Sequence, residues 1–149
     1  MVSHKTIAFG IAAFVALVAL AIAGLGLAGF FFYQNFSEKT EIAQSAGRVF
    51  GKTTDQKGCM TEGLSRALKT TKYDVVKLVE NGEFVEGCFE TSQPTADFCT
   101  NVPPLRESSE GQWEYKKCRE SKMDSQTTGC KSIYEEHLMF CDRQARSMK

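Results

Sequence analysis

Catalytic hardware is scarce in this sequence. Among 149 residues there are two histidines, His4 and His137, one tryptophan and three prolines. None of the six cysteines stands in a C-x-x-C pair, which excludes a thioredoxin-type redox motif and the common structural zinc spacings. There is no C-x-x-C-H haem site and no nucleophile elbow. Lysine and arginine total 18, as do aspartate and glutamate, so no basic surplus points to nucleic acid. No internal repeat and no low-complexity tract is present. The expectation is a chain with no catalytic, cofactor-binding or metal-binding residues, and not an enzyme.

Charge is absent altogether from one long stretch. Thr6–Tyr33 carries no charged and no strongly polar side chain over 28 residues. As a helix it would reach roughly 42 Å, more than the ~30 Å hydrocarbon core of a bilayer. The reading is a transmembrane anchor over 6–33, preceded by a cytoplasmic N-terminus at 1–5. Phe30, Phe31, Phe32 and Tyr33 suit a membrane–water boundary. The alternative is a signal peptide cleaved after Ala23, since Ala21-Ile22-Ala23 fits a small-x-small site. Against it, the apolar run continues for ten residues past Ala23. Ala8, Ala12, Ala16, Ala19, Ala23 and Gly26 recur at steps of three and four, a stripe through which two transmembrane backbones can approach. Self-association or a protein partner is therefore expected beside the bilayer itself.

All six cysteines, Cys59, Cys88, Cys99, Cys118, Cys130 and Cys141, follow the anchor. An even number in a small polar region reads as a disulfide framework and demands an oxidising compartment. The flanking charges orient the anchor only weakly, so the cysteines decide. The chain is expected in the inner (cytoplasmic) membrane with its C-terminal domain periplasmic or extracellular.

Helical periodicity dominates the rest. Residues 34–54 read as a helical stalk and linker, with Ile42, Ala46, Val49 and Phe50 at helical spacing and a break at Gly51-Lys52-Thr53-Thr54. A Cys-rich helical head follows over 55–149. Asp55 can cap Gln56–Leu68, whose inner face is Cys59, Met60, Gly63, Leu64, Ala67 and Leu68. Thr71–Asp74 forms a capping-box pattern before Val75–Val79. Asn81-Gly82 then reads as a break, with a hairpin as the alternative to two helical pieces. Glu80, Glu83, Glu86 and Glu90 form an outer, solvated face. Pro94 opens a short turn of helix at Thr95–Cys99, and Val102–Leu105 is extended. Ser109–Gln112 can cap a helix through Trp113 and Cys118, and Asp124–Gly129 is a loop. Cys130, Ile133, Tyr134, His137, Leu138 and Cys141 mark the clearest amphipathic helix. The fold class is all-α: one N-terminal transmembrane helix and a disulfide-linked bundle of short helices.

Cys130 and Cys141 face the same way on one helix, about 16 Å apart along its axis, so each must find a partner elsewhere. Cys118–Cys130 would pin the last helical hairpin near its turn. Cys99–Cys141 would hold the Pro94 turn, which leaves Cys59–Cys88.

Two motifs invite over-reading. Ala46–Thr53 satisfies the permissive phosphate-loop pattern, but that loop needs a strand before it, and here a helix precedes. No nucleotide is expected. His137 lies on the apolar side of its helix and reads as a packed core residue, as does Trp113. The function expected is a non-enzymatic accessory or protein-binding subunit of the cell envelope. The runner-up is a secreted helical inhibitor or toxin-like domain, released if cleavage occurs after Ala23.

Overall fold

The computed structural model describes residues 4–71, 73–106, 112–123 and 128–147, with side chains for all of these except 4–19, 28 and 128. Five helices follow in order: α1 His4–Gly51, α2 Gln56–Leu68, α3 Val75–Thr91, α4 Gln112–Glu120 and α5 Thr128–Ser147. Among the described residues there is no strand, only a single bridge between Asp55 and Gln93. The fold is all-α.

Contacts divide the chain into Met1–Glu38 and Lys39–Lys149. In the first unit, Leu20, Ile22, Leu25, Leu27, Phe30, Phe31, Phe32 and Tyr33 are all exposed. By length and composition, α1 is a helix that can cross a membrane, and none of its apolar window is buried. Of the small-residue stripe, Ala23 and Gly26 are exposed. A methyl group added at Gly26 would meet nothing within 4 Å. Ala8, Ala12, Ala16 and Ala19 lie on the helical backbone, and their side chains fall outside the described residues.

The second unit begins inside the segment read as a stalk. Residues 39–51 pack against α3, and they do so backbone to backbone. A Cβ at Gly47 would overlap the Phe84 carbonyl, and one at Gly87 would overlap the Gln44 carbonyl. The Arg48 guanidinium donates to Glu90 at 2.6 Å, and Thr91 Oγ1 donates to the Arg48 carbonyl at 2.8 Å. Phe50 turns inward onto Phe84, with ring centroids 5.8 Å apart. Ile42, Ala46 and Val49 point outward instead of sharing that face.

Asp55 caps α2 by accepting from the Gly58 amide at 2.7 Å. The buried face of α2 is Gln56, Cys59, Met60, Gly63 and Ala67, with Leu64 partly buried. Leu68, expected inside, is 64 % exposed, because α2 ends there. The cap of α3 is Asp74, which accepts from the Lys77 amide at 3.0 Å, rather than Thr71. No break and no hairpin occurs at Asn81-Gly82: α3 runs through both. The Asn81 amide is buried and donates to Thr70 Oγ1 at 3.0 Å, so it is satisfied without a turn. Gly82 faces Ser132 and Glu136 of α5.

Between α3 and α4, Thr95–Cys99 is a chain of turns, not a turn of helix. The amide of Thr95 is claimed by buried Gln56 Oε1 at 2.9 Å, and Gln93 exchanges bonds with Thr54 and Gln56. The Ser109–Gly111 part of the expected cap before α4, and residues 124–127 of the expected loop, lie outside the described residues. Gly129 belongs to α5.

Three disulfides close the bundle: Cys59–Cys88, Cys99–Cys141 and Cys118–Cys130, with Cα separations of 5.8, 5.4 and 5.9 Å. This is the set reached from the spacing. Cys59, Cys88, Cys118 and Cys130 are wholly buried around Phe84, Val85, Phe89 and Ile133, and each bridge typically adds ~2–4 kcal/mol. Cys99 is only partly buried. Non-reducing peptide mapping should recover these three pairs. Under graded dithiothreitol, Cys99–Cys141 should open first, because a thiolate must reach a sulfur to exchange with it. A first opening at Cys59–Cys88 would contradict the burial order.

Candidate functional site

A recess lined by polar and aromatic side chains lies in the second unit, where the 97–102 turn meets α2, α4 and α5. It encloses about 290 Å³ and is lined by Lys57 and Met60 of α2, Trp113 and Lys117 of α4, and Tyr134 and His137 of α5, together with the turn. Its position follows from local chemistry. The Asp55 and Gln56 contacts fasten one end of the turn, and Cys99–Cys141 fastens the other. Between them Asp97 and Asn101 adopt left-handed backbone, φ 62° and 63°. Aspartate and asparagine tolerate that region better than other non-glycine residues. The two reversals turn Phe98 inward, where it stacks on His137 at 4.2 Å and meets Phe89 at 5.3 Å.

His137 sits at the centre of this aromatic group. Trp113 approaches it edge-on at 5.7 Å, and Trp113 meets Tyr134 at 5.9 Å. Its Nε2 is 3.0 Å from the Phe98 carbonyl. A carbonyl only accepts, so Nε2 carries the proton. Burial holds the imidazole below its ordinary pKa; the Phe98 carbonyl opposes this, and Lys117 adds to it. The ring is therefore neutral near pH 7, with a bare lone pair on Nδ1. That nitrogen is buried and has no hydrogen-bond partner among the described residues. Tyr134 Oη is 2.6 Å from Ser121 Oγ.

No protein family, curated protein or solved structure matches this chain.

The residues singled out from sequence are placed as follows. The six cysteines form the three pairs above. Tyr134, His137 and Trp113, read as core, cluster at one place, but Trp113 is only half-buried and stands at the rim of the recess. Asp97, Asn101 and Lys57 carry no signal of a site in the sequence, because only the folded turn and the α2 terminus bring them together. The phosphate-loop look-alike at Ala46–Thr53 is the end of α1 and the turn after it. The amides of Thr53 and Thr54 there donate to the carbonyls of Phe50 and Gly51. Among the described residues, no group of three or more His, Cys, Asp or Glu side chains could hold a metal.

The glutamates of α3 are not a uniformly solvated face. Glu90 pairs with Arg48, and Glu86 pairs with Arg143 of α5 at 3.0 Å. Across from them Glu136 of α5 is pushed up to about 8, by burial first and then by Glu86, with Arg143 opposing. Burial and Glu86 also raise Glu83. A carboxyl that keeps its proton to about 8 in the folded chain, against an ordinary value of 4.5, favours the fold most below 4.5. That contribution is lost as pH rises through 8. The melting temperature of the wild-type chain should fall between pH 5 and pH 8. Glu136→Gln should flatten that slope and raise the melting temperature at pH 8 by a few degrees. Identical pH profiles would show that Glu136 does not retain its proton.

Proposed function

We propose that this chain is a single-pass membrane protein whose disulfide-linked helical head is a protein-binding, non-catalytic accessory unit on the oxidising side of the membrane. The observation that carries the reading is the pairing of two features within one chain. One is a helix long and apolar enough to cross a bilayer, with its large apolar side chains from Leu20 to Tyr33 exposed. The other is a unit holding three disulfides and no free cysteine. A row of exposed leucines and phenylalanines is stable in lipid and costly in water. Disulfides persist where thiols are not kept reduced. Together they support an N-terminus in the cytoplasm, an anchor in the inner membrane and a head that is periplasmic or extracellular. Residues Ala23 and Gly26, with Ala8, Ala12, Ala16 and Ala19, would give the anchor a face for a neighbouring helix.

A second reading draws on the independence of the head. The unit Lys39–Lys149 contains the described core and every disulfide, so cleavage after Ala23 would release an intact secreted domain. Alkaline carbonate extraction followed by intact-mass measurement separates the two. The expected result is protein retained in the membrane fraction with residues 1–23 present. A soluble product beginning at Gly24 would overturn the anchor and favour the secreted domain.

A further inference from the structure

We propose that the tip between α2 and α3, Leu68–Val75, enters the surface of the bilayer and that its lysines meet anionic lipid headgroups. The proposal rests on the reading of α1 as a membrane anchor. It adds a second lipid contact, made by the folded unit itself.

The direction of the helices places the tip. Gly47 lies against Phe84, and Gly51 against Cys88 and Thr91, so residues 39–51 run parallel to α3. Their starts lie together: Lys39, Lys77 and Glu80 line one recess. The α2 helix runs the other way. The Gln56 amide donates to the Gln93 carbonyl at the end of α3, Gly63 faces Val85, and Thr70 accepts from Asn81. The connection from α2 to α3 therefore stands at the end of the unit where the chain enters it, at Lys39. Six residue steps separate Lys39 from Tyr33, the last residue of the apolar run. They span about 9 Å as helix and at most about 21 Å as extended chain. The headgroup region on each face of a bilayer is about 5–7 Å deep, so the anchor holds this end of the unit close to it.

The tip has the surface that this position calls for. Leu68, Tyr73 and Val75 are 64, 82 and 64 % exposed, three large apolar side chains within eight successive positions. Single exposed apolar residues are ordinary, whereas gathered ones mark an interaction surface. Tyrosine favours the membrane–water boundary. Leu68–Lys77 holds three lysines, Lys69, Lys72 and Lys77, against one acid, Asp74. Asp74 accepts from the Lys77 amide as the cap of α3, and Lys77 pairs with Glu80. Lys69 is exposed and forms no ion pair among the described residues. Apolar side chains that enter the boundary while neighbouring lysines stay among the headgroups are the chemistry of an anionic membrane surface.

The opposite end of the unit supplies the control. There the Leu105 amide donates to Asp142, next to the Arg143 that pairs with Glu86. Leu105 is 45 % exposed. The full chain is reconstituted into phosphatidylcholine vesicles with or without phosphatidylserine, bearing Tyr73→Trp or Leu105→Trp. The parent chain, whose only tryptophan is Trp113, gives the baseline. Lipids brominated high on the acyl chain quench a tryptophan that touches them. Quenching above baseline should be several-fold greater for Tyr73→Trp than for Leu105→Trp, with emission shifted to shorter wavelength. Phosphatidylserine should increase it, and adding Lys69→Glu should remove that increase. Flotation with the vesicles reports the anchor separately. A chain that floats but shows no excess quenching at position 73, or equal quenching at 73 and 105, would overturn the proposal and leave the anchor standing. A chain that does not float would overturn both. Shifted emission without quenching would assign the tip to a protein neighbour and overturn the lipid contact. Quenching indifferent to phosphatidylserine and to Lys69→Glu would overturn the role of the lysines.

Discussion

Close contact between two helix backbones sets the geometry of the folded unit. At Gly47 and Gly87 there is no room for a side chain, because the carbonyls of Phe84 and Gln44 occupy the space a Cβ would need. Gly51 is similar, against the Cys88 carbonyl and Thr91 Oγ1. With α1 this close, α3 has neighbours on several sides. Cys88 bonds Cys59 of α2, Phe84 and Val85 are fully buried, and Gly82 lies against α5. Glu83 and Glu86 are only partly exposed as a result; Glu86 pairs across to Arg143, and Glu136 nearby holds its proton. Alanine would be the better helix former at any of these glycines by ~1 kcal/mol, so their placement follows packing rather than propensity.

The same contact explains which parts of the fold were legible. Signals complete within one segment translate directly into structure. Asp55 before Gln56–Leu68 is a cap with its helix, and the spacing from Cys130 to Cys141 is one buried face. Helix geometry forbids Cys130–Cys141, and the order of the segments along the chain suggests the three pairs that the fold contains. Asn81-Gly82 is read wrongly for a tertiary reason. The pair looks like punctuation because asparagine and glycine favour turns, yet Thr70 satisfies the asparagine and α5 uses the missing side chain of the glycine. Ile42 and Val49 look like an inward stripe, but glycines 47 and 51 define the inner face, so the larger residues turn outward. Periodicity identifies a helix and cannot say which face packs when the packing residue has no side chain.

The recess at His137 was the least visible feature. His137, Tyr134 and Trp113 each look like core, and each is partly that. What makes a site of them is the turn between α3 and α4, whose shape depends on two left-handed residues, a buried glutamine from α2 and a disulfide to α5. None of these leaves a local pattern. Nδ1 of His137 has no partner among the described residues, and buried polar groups are rarely left so.

Glycine-to-alanine substitutions measure the central constraint directly. Chemical unfolding of the full chain with Gly47→Ala or Gly87→Ala should show a loss of about 1–3 kcal/mol each, from overpacking against a backbone that cannot yield. Gly82→Ala is the control within the same helix, since its Cβ would make ordinary contacts of 3.4–3.7 Å with Glu136 and Ser132. That variant should be neutral or more stable, by helix propensity. Equal stabilisation of all three would contradict the account, because it would mean that α1 and α3 do not meet backbone to backbone.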